Sequence, residues 1–93
     1  MVDQNPADSF SRYGLAMEYV NAGQLEEAEK HFIQLLEHNP SYVAGYFHGG
    51  QTLQKLNRTD DARGLYRRGI EVASAAGDDH AAAEMQGALD MLG

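Results

Sequence analysis

The sequence has 93 residues, enough for one domain, and 43% of them are aliphatic or aromatic, as in an ordinary globular protein. Cysteine is absent, which excludes disulfides and thiolate zinc sites and agrees with a reducing compartment. Fourteen acidic residues against seven lysines and arginines give a formal net charge of −7, which argues against nucleic-acid binding because phosphate backbones are repelled. With neither a signal-peptide pattern nor a run of ~20 apolar residues, the sequence predicts a cytoplasmic protein without a membrane partner.

The first two predicted helices form a hairpin. Leu15 and Tyr19 lie one helical turn apart and share a face of the first helix. The second helix carries an apolar stripe at helical period, made of Leu25, Ala28, Phe32, Leu35 and Leu36. The short turn around Gly23 makes the two helices pack antiparallel. Asn39 ends the second helix, because a residue that precedes proline avoids the helical conformation.

A second hairpin and a last helix follow. Thr59 and the acids after it, Asp60 and Asp61, predict the start of the fourth helix, with the threonine hydroxyl as its cap. Gly77 closes the hairpin, and a last helix is predicted over about residues 78–92. Its inward stripe consists of Ala81, Ala82, Met85, Leu89 and Leu92. We expect this helix to cover the open apolar face of the second hairpin.

The second hairpin is rich in glycine. Five glycines fall within its predicted helices: Gly45, Gly49, Gly50, Gly64 and Gly69. Each costs about 1 kcal/mol relative to alanine in a helix interior. Two interpretations are open. Gly49 and Gly69 could leave room for a close neighbour such as a partner helix, or the glycines could simply make the packing looser in a way that the fold tolerates.

The two hairpins repeat with a period of 34 residues. A shift of 34 places Gly23 on Asn57, Ala28 on Ala62, and the aromatic Phe32 on Tyr66. The first repeat, residues 9–42, contains the pattern Leu15-Ala16-x2-Tyr19, Ala28-x3-Phe32, Pro40; the second, residues 43–76, contains Gly49-Gly50-x2-Leu53, Ala62-x3-Tyr66, with Ser74 in the place of the proline. This period and spacing resemble the tetratricopeptide repeat. Departures from the family pattern occur at Arg12, Ala16 and Gly49.

The resemblance implies a fold and a mode of action. The fold is all-α, two antiparallel helical hairpins of a right-handed α-solenoid plus a C-terminal capping helix, with residues 1–93 as a single domain. The function is a scaffold that binds a peptide or protein segment in its concave groove. The groove positions that the family pattern assigns with useful chemistry are Phe10, Tyr13, Met17, Asn21, Phe47, His48, Gln51 and Gln54. In the last helix, the same count assigns Asp78, Ala81, Ala82 and Met85.

Chaperone-binding members of the family resemble one another in a clamp of lysine, asparagine and arginine that holds a peptide's terminal carboxylate. The matching positions here are occupied by Tyr13, Met17, His48, Asp78 and Ala82. None of these provides a strong positive charge, and Asp78 has the opposite sign. We therefore predict that this chain has no carboxylate clamp of that kind.

Catalysis and metal binding have little support in the sequence. His31 and His38 lie seven residues apart on the second helix and could bind a metal only weakly, with Glu27 or Glu37 nearby. His80 and Glu84 have the spacing of an ordinary helical surface pair. No catalytic or nucleotide-binding motif is present. We predict a protein that is not an enzyme and has no cofactor and no metal.

Two alternatives are open on function. The chain could be a self-association domain that forms a homodimer, or part of a larger repeat protein, because solenoids usually need three or more repeats. The groove aromatics could then be buried rather than open. Charge is also uneven: residues 1–42 carry −5, residues 43–76 carry +2 and residues 77–93 carry −4. The basic cluster, Arg63, Arg67 and Arg68, could meet the acidic ends of the same molecule or of a second copy.

Overall fold

The computed structural model describes residues 6–93 and the side chains from residue 8 onward. This part of the chain forms five helices and no strand: α1 (Pro6–Asn21), α2 (Leu25–His38), α3 (Val43–Lys55), α4 (Thr59–Ala75) and α5 (Asp79–Leu92). The all-α prediction is confirmed. None of these described helices is long and apolar enough to cross a membrane.

Each helix packs chiefly against the next one along the chain, and contacts also join α1 to α3 and α3 to α5. The inner helices α1, α3 and α5 therefore form one layer, and the outer helices α2 and α4 form the other. The molecule measures 39 × 32 × 17 Å, and the shortest dimension is that of two layers of helices. Phe32 and Leu35 of α2 pack with Ala16 of α1 in one core cluster. A larger cluster joins α2 to α5 through buried Leu36, Leu53, Leu65, Tyr66 and Met85, among others. The hairpins and α5 therefore form one continuous stack.

Three turns share one backbone geometry. Gly23 and Asn57 both have left-handed conformations, with φ of 78° and 63°, and they lie 34 residues apart. After each, a backbone N–H reaches back to the carbonyl five residues earlier: Gln24 N to Tyr19 O and Arg58 N to Leu53 O, both 2.9 Å. This arrangement closes the C-terminus of a helix and turns the chain. The turn at Gly77 repeats it, which explains why glycine and asparagine occupy these positions.

Glycines in the second hairpin allow close packing within the chain itself. A Cβ placed on Gly49 would lie 2.9 Å from Cδ2 of Leu65, and one on Gly69 would lie 2.6 Å from Cβ of Tyr46. Gly64 differs, because nothing lies within 4 Å of its Cβ position. Room for a close neighbour is thus the correct interpretation at Gly49 and Gly69, but the neighbours belong to the same chain. Among the five glycines of the second hairpin, only Gly64 lies where the packing is loose.

The start of α4 differs from the sequence prediction. The cap residue is Arg58 rather than Thr59, and no side chain accepts a capping hydrogen bond there. Arg58 instead donates to Asp61 in the first turn, at 2.9 Å, and to Glu29 of α2, at 2.6 Å. The predicted capping hydroxyl is wrong because the turn places arginine, which bridges the two outer helices, at the cap position.

Two arginines of the basic cluster on α4, Arg63 and Arg68, have partners within the chain. Arg63 donates to Asp60 at 2.6 Å and to the carbonyl oxygen of Leu92 at 3.1 Å, so it holds the C-terminal end of α5 against α4. The guanidinium carbon of Arg68 lies 5.5 Å from the ring centroid of Tyr46. A cation near the last carbonyls of a helix is favourable because the helix dipole is negative there. Arg63 thus reaches the C-terminal end of the same molecule, but through backbone carbonyls, and its acidic partner is Asp60 of its own helix.

The position of α5 departs from a strict period of 34. Helix α2 ends at His38, and the equivalent position in the next repeat is Val72, but α4 continues to Ala75. Helix α5 therefore begins at Asp79, two residues later than a shift of α3 by 34 would place it. Asp78 caps it by accepting a hydrogen bond from the backbone N–H of Ala81 at 3.1 Å. The offset changes which residues of α5 point inward.

Candidate functional site

Helices α1, α3 and α5 meet on one surface, called here the groove. The ring of Tyr13 in α1 lies 5.7 Å, centroid to centroid, from the ring of His48 in α3. Glu84 in α5 is close enough to His48 to influence its pKa. His48 is therefore the residue at which the three inner helices come together.

Aromatic rings form the floor of the groove beside His48. Tyr13 packs on Tyr42, with 5.5 Å between ring centroids, and edge-on to Phe32 at 6.4 Å. Phe47 lies 5.2 Å from His48, also edge-on. Tyr13, Tyr42 and Phe47 are all half-buried, and burial raises the pKa of both tyrosines. The rings are thus packed against the core and remain partly accessible.

The other predicted groove residues of α1 differ in exposure. Met17 is half-buried and packs against the core of the first hairpin. Phe10 lies near the start of α1 with 68% of its surface exposed, and Asn21 is exposed at the last position of the helix. Phe10 and Asn21 therefore lie near the two ends of the inner face, and Met17 lies between them with Tyr13.

Two glutamines of α3 have different roles. Gln51 is exposed, and its side chain is close enough to His48 to influence the pKa of that histidine. Gln54 accepts a hydrogen bond from the hydroxyl of Tyr66 in α4, so its amide oxygen is used inside the fold. Gln51 is therefore the glutamine of α3 whose position suits contact with a bound segment.

The residues of α5 assigned to the groove by counting are wrong. Met85 is fully buried against Gly69, Ala81 and Ala82 pack on the core, and the Asp78 carboxylate caps the helix. When α3 and α5 are matched from their first residues, the α5 positions equivalent to the inner face of α3 are His80, Ala83, Glu84 and Gly87. All four are exposed, and Glu84 matches His48 itself.

Comparison with known proteins gives the family. A TPR repeat-containing protein from Pseudomonas aeruginosa is 31% identical over 85 residues, which cover 91% of this chain and 81% of that protein. The chain belongs to the tetratricopeptide-repeat family. An uncharacterized protein from Methanocaldococcus jannaschii is also 31% identical, over 71 residues that cover 76% of this chain and 83% of that protein. No protein-family model matches the chain.

Solved structures of tetratricopeptide repeat domain proteins from Salinibacter ruber have the same fold. A solution NMR structure superimposes with a TM-score of 0.88 at 39% identity, covering 95% of this chain and 89% of that chain. A crystal structure superimposes with a TM-score of 0.85 at 38% identity, covering 90% of this chain and 93% of that chain. The tetratricopeptide resemblance seen in the sequence is confirmed, and it extends over all five helices.

Carboxylate-clamp chemistry is a poor match to this tetratricopeptide groove. The inner face of α5 presents His80 and Glu84 in place of the Asp78 and Ala82 that counting suggested. Glu84 is negative, and a bound peptide carboxylate next to it would be repelled. The prediction that the chain lacks such a clamp therefore keeps its physical basis after the register of α5 is corrected.

The remaining histidines lie apart from one another. The ring of His31 stacks on Tyr19, with 5.2 Å between centroids and 8° between planes, and its Nδ1 is buried without a hydrogen-bond partner. His38 Nδ1 lies 2.9 Å from the carbonyl oxygen of Gln34. Among the described residues, no group of three or more histidine, aspartate or glutamate side chains could hold a metal ion.

The pH dependence of stability should reflect His48. Burial lowers the pKa of His48, and the hydrogen bond with Gln51 and the nearby Glu84 carboxylate offset part of this effect. As the pH falls below about 6.5, the unfolded chain binds a proton at His48 before the folded chain does, so the free energy of unfolding decreases. We expect His48→Gln to lose less stability than the wild type between about pH 7 and pH 5.5.

Urea unfolding of both proteins at the two pH values measures this difference. The other three histidines and the carboxylates are present in both proteins, so their effects cancel in the comparison. An equal loss of stability in the two proteins would show that His48 titrates alike in the folded and unfolded states.

Proposed function

We propose that this chain is a protein-interaction scaffold that binds a peptide or a segment of another protein in its groove. The observation that carries the proposal is the junction at His48, where half-buried aromatic rings from α1 and α3 and the exposed amide of Gln51 line one surface. Aromatic side chains provide rigid apolar contact area, and an amide can bond a peptide backbone. Tetratricopeptide-repeat domains generally mediate protein–protein interactions, and the family is generally not catalytic.

A peptide-display selection against the immobilised protein tests this proposal, with the selected peptides then titrated into labelled protein. Backbone amide signals of Tyr13, Met17, His48 and Gln51 should shift, and those of the outer helices α2 and α4 should stay in place. Gln51→Arg, which puts a long charged side chain into the groove, should weaken binding about tenfold or more.

Ser74→Arg is the matched control for this substitution. Ser74 is exposed in the last turn of α4, so the same arginine side chain and the same added charge are placed on an outer helix. Its affinity for the selected peptides should equal that of the wild type. If the signal changes were confined to α2 and α4, or if both variants lowered the peptide affinity equally, the groove would not be the binding site.

Self-association is the second candidate function, and exposed apolar side chains favour it. Phe10 and Leu15 on α1 are 68% and 40% exposed, and Met91 near the end of α5 is 89% exposed. A second copy could cover the α1 side chains and form a homodimer. Sedimentation at several protein concentrations decides this: a monomer throughout excludes it, and a dimer that Phe10→Ser and Leu15→Ser convert to a monomer establishes it.

A further inference from the structure

One end of the groove combines a carboxylate with aromatic rings and neutral polar groups. Glu84 of α5 is exposed and occupies the position equivalent to His48 of α3. Tyr13 of α1 and Phe47 of α3 pack around His48, and Gln51 lies on the same face of α3. We propose that this end binds a cationic side chain, lysine or arginine, of a peptide segment held in the groove. This inference rests on the proposed function, since it names the chemistry of the groove's ligand.

The carboxylate of Glu84 is not neutralised by a permanent cation. Its ion-pair partner is His80, with Nε2 at 3.4 Å, and an imidazole is charged only when protonated. The lysine and arginine ion pairs of the described residues lie on the outer helices instead, from Lys30 to Glu27, from Arg58 to Glu29 and Asp61, and from Arg63 to Asp60. The carboxylate in the groove is thus available to a cation from outside.

Lys55 is the cation nearest to this end along α3, but it lies seven residues beyond His48. That spacing corresponds to about 10 Å along a helix axis. Water and salt screen a charge at that distance much more than one in direct contact. Lys55 therefore forms no ion pair with Glu84, whose partner is His80.

The neighbourhood of Glu84 suits the whole of a lysine or arginine side chain. Half of the surface of the Glu84 side chain is exposed, so its carboxylate can be reached. The partly exposed rings of Tyr13 and Phe47 offer an apolar surface for the methylene groups of the ligand. Because burial lowers the pKa of His48, that imidazole remains neutral near pH 7 and does not repel the cation.

Charge complementarity extends beyond this contact. The chain has a net charge of −7, and residues 77–93, which include α5, carry −4 without any lysine or arginine. Such a field attracts a basic segment over a distance and speeds its encounter with the groove. An acidic segment is repelled by the same field and, at the end of the groove, by the charge of Glu84. The structure therefore favours a basic peptide over an acidic one.

The experiment uses the full chain and four sets of short random peptides, capped at both ends, whose central residue is lysine, arginine, glutamine or glutamate. Retention on the immobilised protein ranks the sets, and titration of a retained lysine peptide and its glutamine counterpart gives the ratio of affinities. We expect lysine and arginine to bind about threefold to tenfold more tightly than glutamine at low salt. The ratio should shrink as salt is added.

Glu84→Gln should reduce the affinity for the lysine peptide to that for the glutamine peptide. Glu71→Gln removes the same charge from an exposed position on the outer helix α4 and should leave the ratio unchanged. A ratio that survives Glu84→Gln overturns the inference, and so does a ratio that both variants reduce equally, because net charge would then explain it.

The same experiment separates this inference from the proposed function. Retention of all four sets without preference rejects the cationic subsite and supports groove binding, provided that Gln51→Arg removes the retention. Retention of none of the sets by the wild type counts against both.

Discussion

Replacing Met85 by alanine is expected to lower the free energy of unfolding by about 2–5 kcal/mol, because the substitution leaves a cavity where α5 packs on the second hairpin. The side chain of Met85 is fully buried, and its sulfur fills the space above Gly69, which has no side chain of its own. A domain of ordinary stability has about 5–15 kcal/mol in total, so the loss is a large fraction. Urea unfolding followed by circular dichroism measures it.

Met91→Ala is the matched control for this prediction. Both methionines are in α5, but Met91 is 89% exposed, so its truncation should change stability by less than about 0.5 kcal/mol. If the two substitutions had equal effects, the register assigned to α5 would be wrong, because that register alone places Met85 inside and Met91 outside.

Amide hydrogen exchange gives a second measure of the Met85→Ala effect. Repeat proteins are stabilised by contacts between neighbours, so loss of one interface weakens the terminal element first. We expect exchange in α5 to accelerate more than exchange in α1 and α2. Uniform acceleration would mean that α5 and the first hairpin unfold as one unit.

The two hairpins could be predicted from sequence because each helix carries a contrast between apolar and polar positions. In α2, the stripe that includes Ala28, Phe32 and Leu35 has charged residues around it, and the structure buries all three. The turns could be predicted as well, since Gly23 and Asn57 are residues that tolerate a left-handed backbone. These signals are local, so they did not depend on knowing the packing.

The register of α5 could not be read by counting because the period changes after α4. Ala81, Ala82 and Ala83 are consecutive and identical, so they give no contrast between inward and outward faces. The signal that marks the core-facing side of α5 is the spacing of Met85 and Leu89, one helical turn apart. Matching helix starts, rather than applying the family period, would have placed Glu84 in the groove from the sequence.

The role of Gln54 illustrates a second limit of sequence reasoning. Its amide oxygen accepts a hydrogen bond from the hydroxyl of Tyr66, whereas the equivalent aromatic residue in the first repeat is Phe32, which has no hydroxyl. The family pattern treats the two aromatic residues as equivalent because both fill the same apolar site. Because Tyr66 has a hydroxyl group that Phe32 lacks, the amide of Gln54, which was predicted to line the groove, instead connects α3 to α4.

Gly69→Ala is the prediction with the second largest effect, and its sign tests how the helices approach one another. Alanine favours a helix over glycine by about 1 kcal/mol, so propensity alone predicts stabilisation. The added Cβ, however, would lie 2.6 Å from Cβ of Tyr46 and would also meet Met85. Overpacking of this kind costs about 1–3 kcal/mol, and we expect net destabilisation of up to about 2 kcal/mol.

Tyr46 is a poor candidate for relieving that contact by moving. Its hydroxyl donates to the carbonyl oxygen of Pro40 at 2.6 Å, and Arg68 lies over its ring. Because the contact involves the Cβ of Tyr46, a change of side-chain rotamer leaves it in place, and only a shift of the α3 backbone relative to α4 removes it. Met85 can adjust more easily, since its side chain is flexible. Tyr46, the less mobile of the two contacts, therefore determines how much Gly69→Ala destabilises the fold.

Gly64→Ala is the matched control, because the same substitution in the same helix meets nothing within 4 Å. Here only helix propensity acts, and stability should rise by about 0.5–1 kcal/mol. Urea unfolding of the two variants should thus give effects of opposite sign. A stabilising effect at both positions would show that α3 and α5 can move away from Gly69 at little cost. The second hairpin and α5 would then be held together by apolar burial without a tight fit at this glycine.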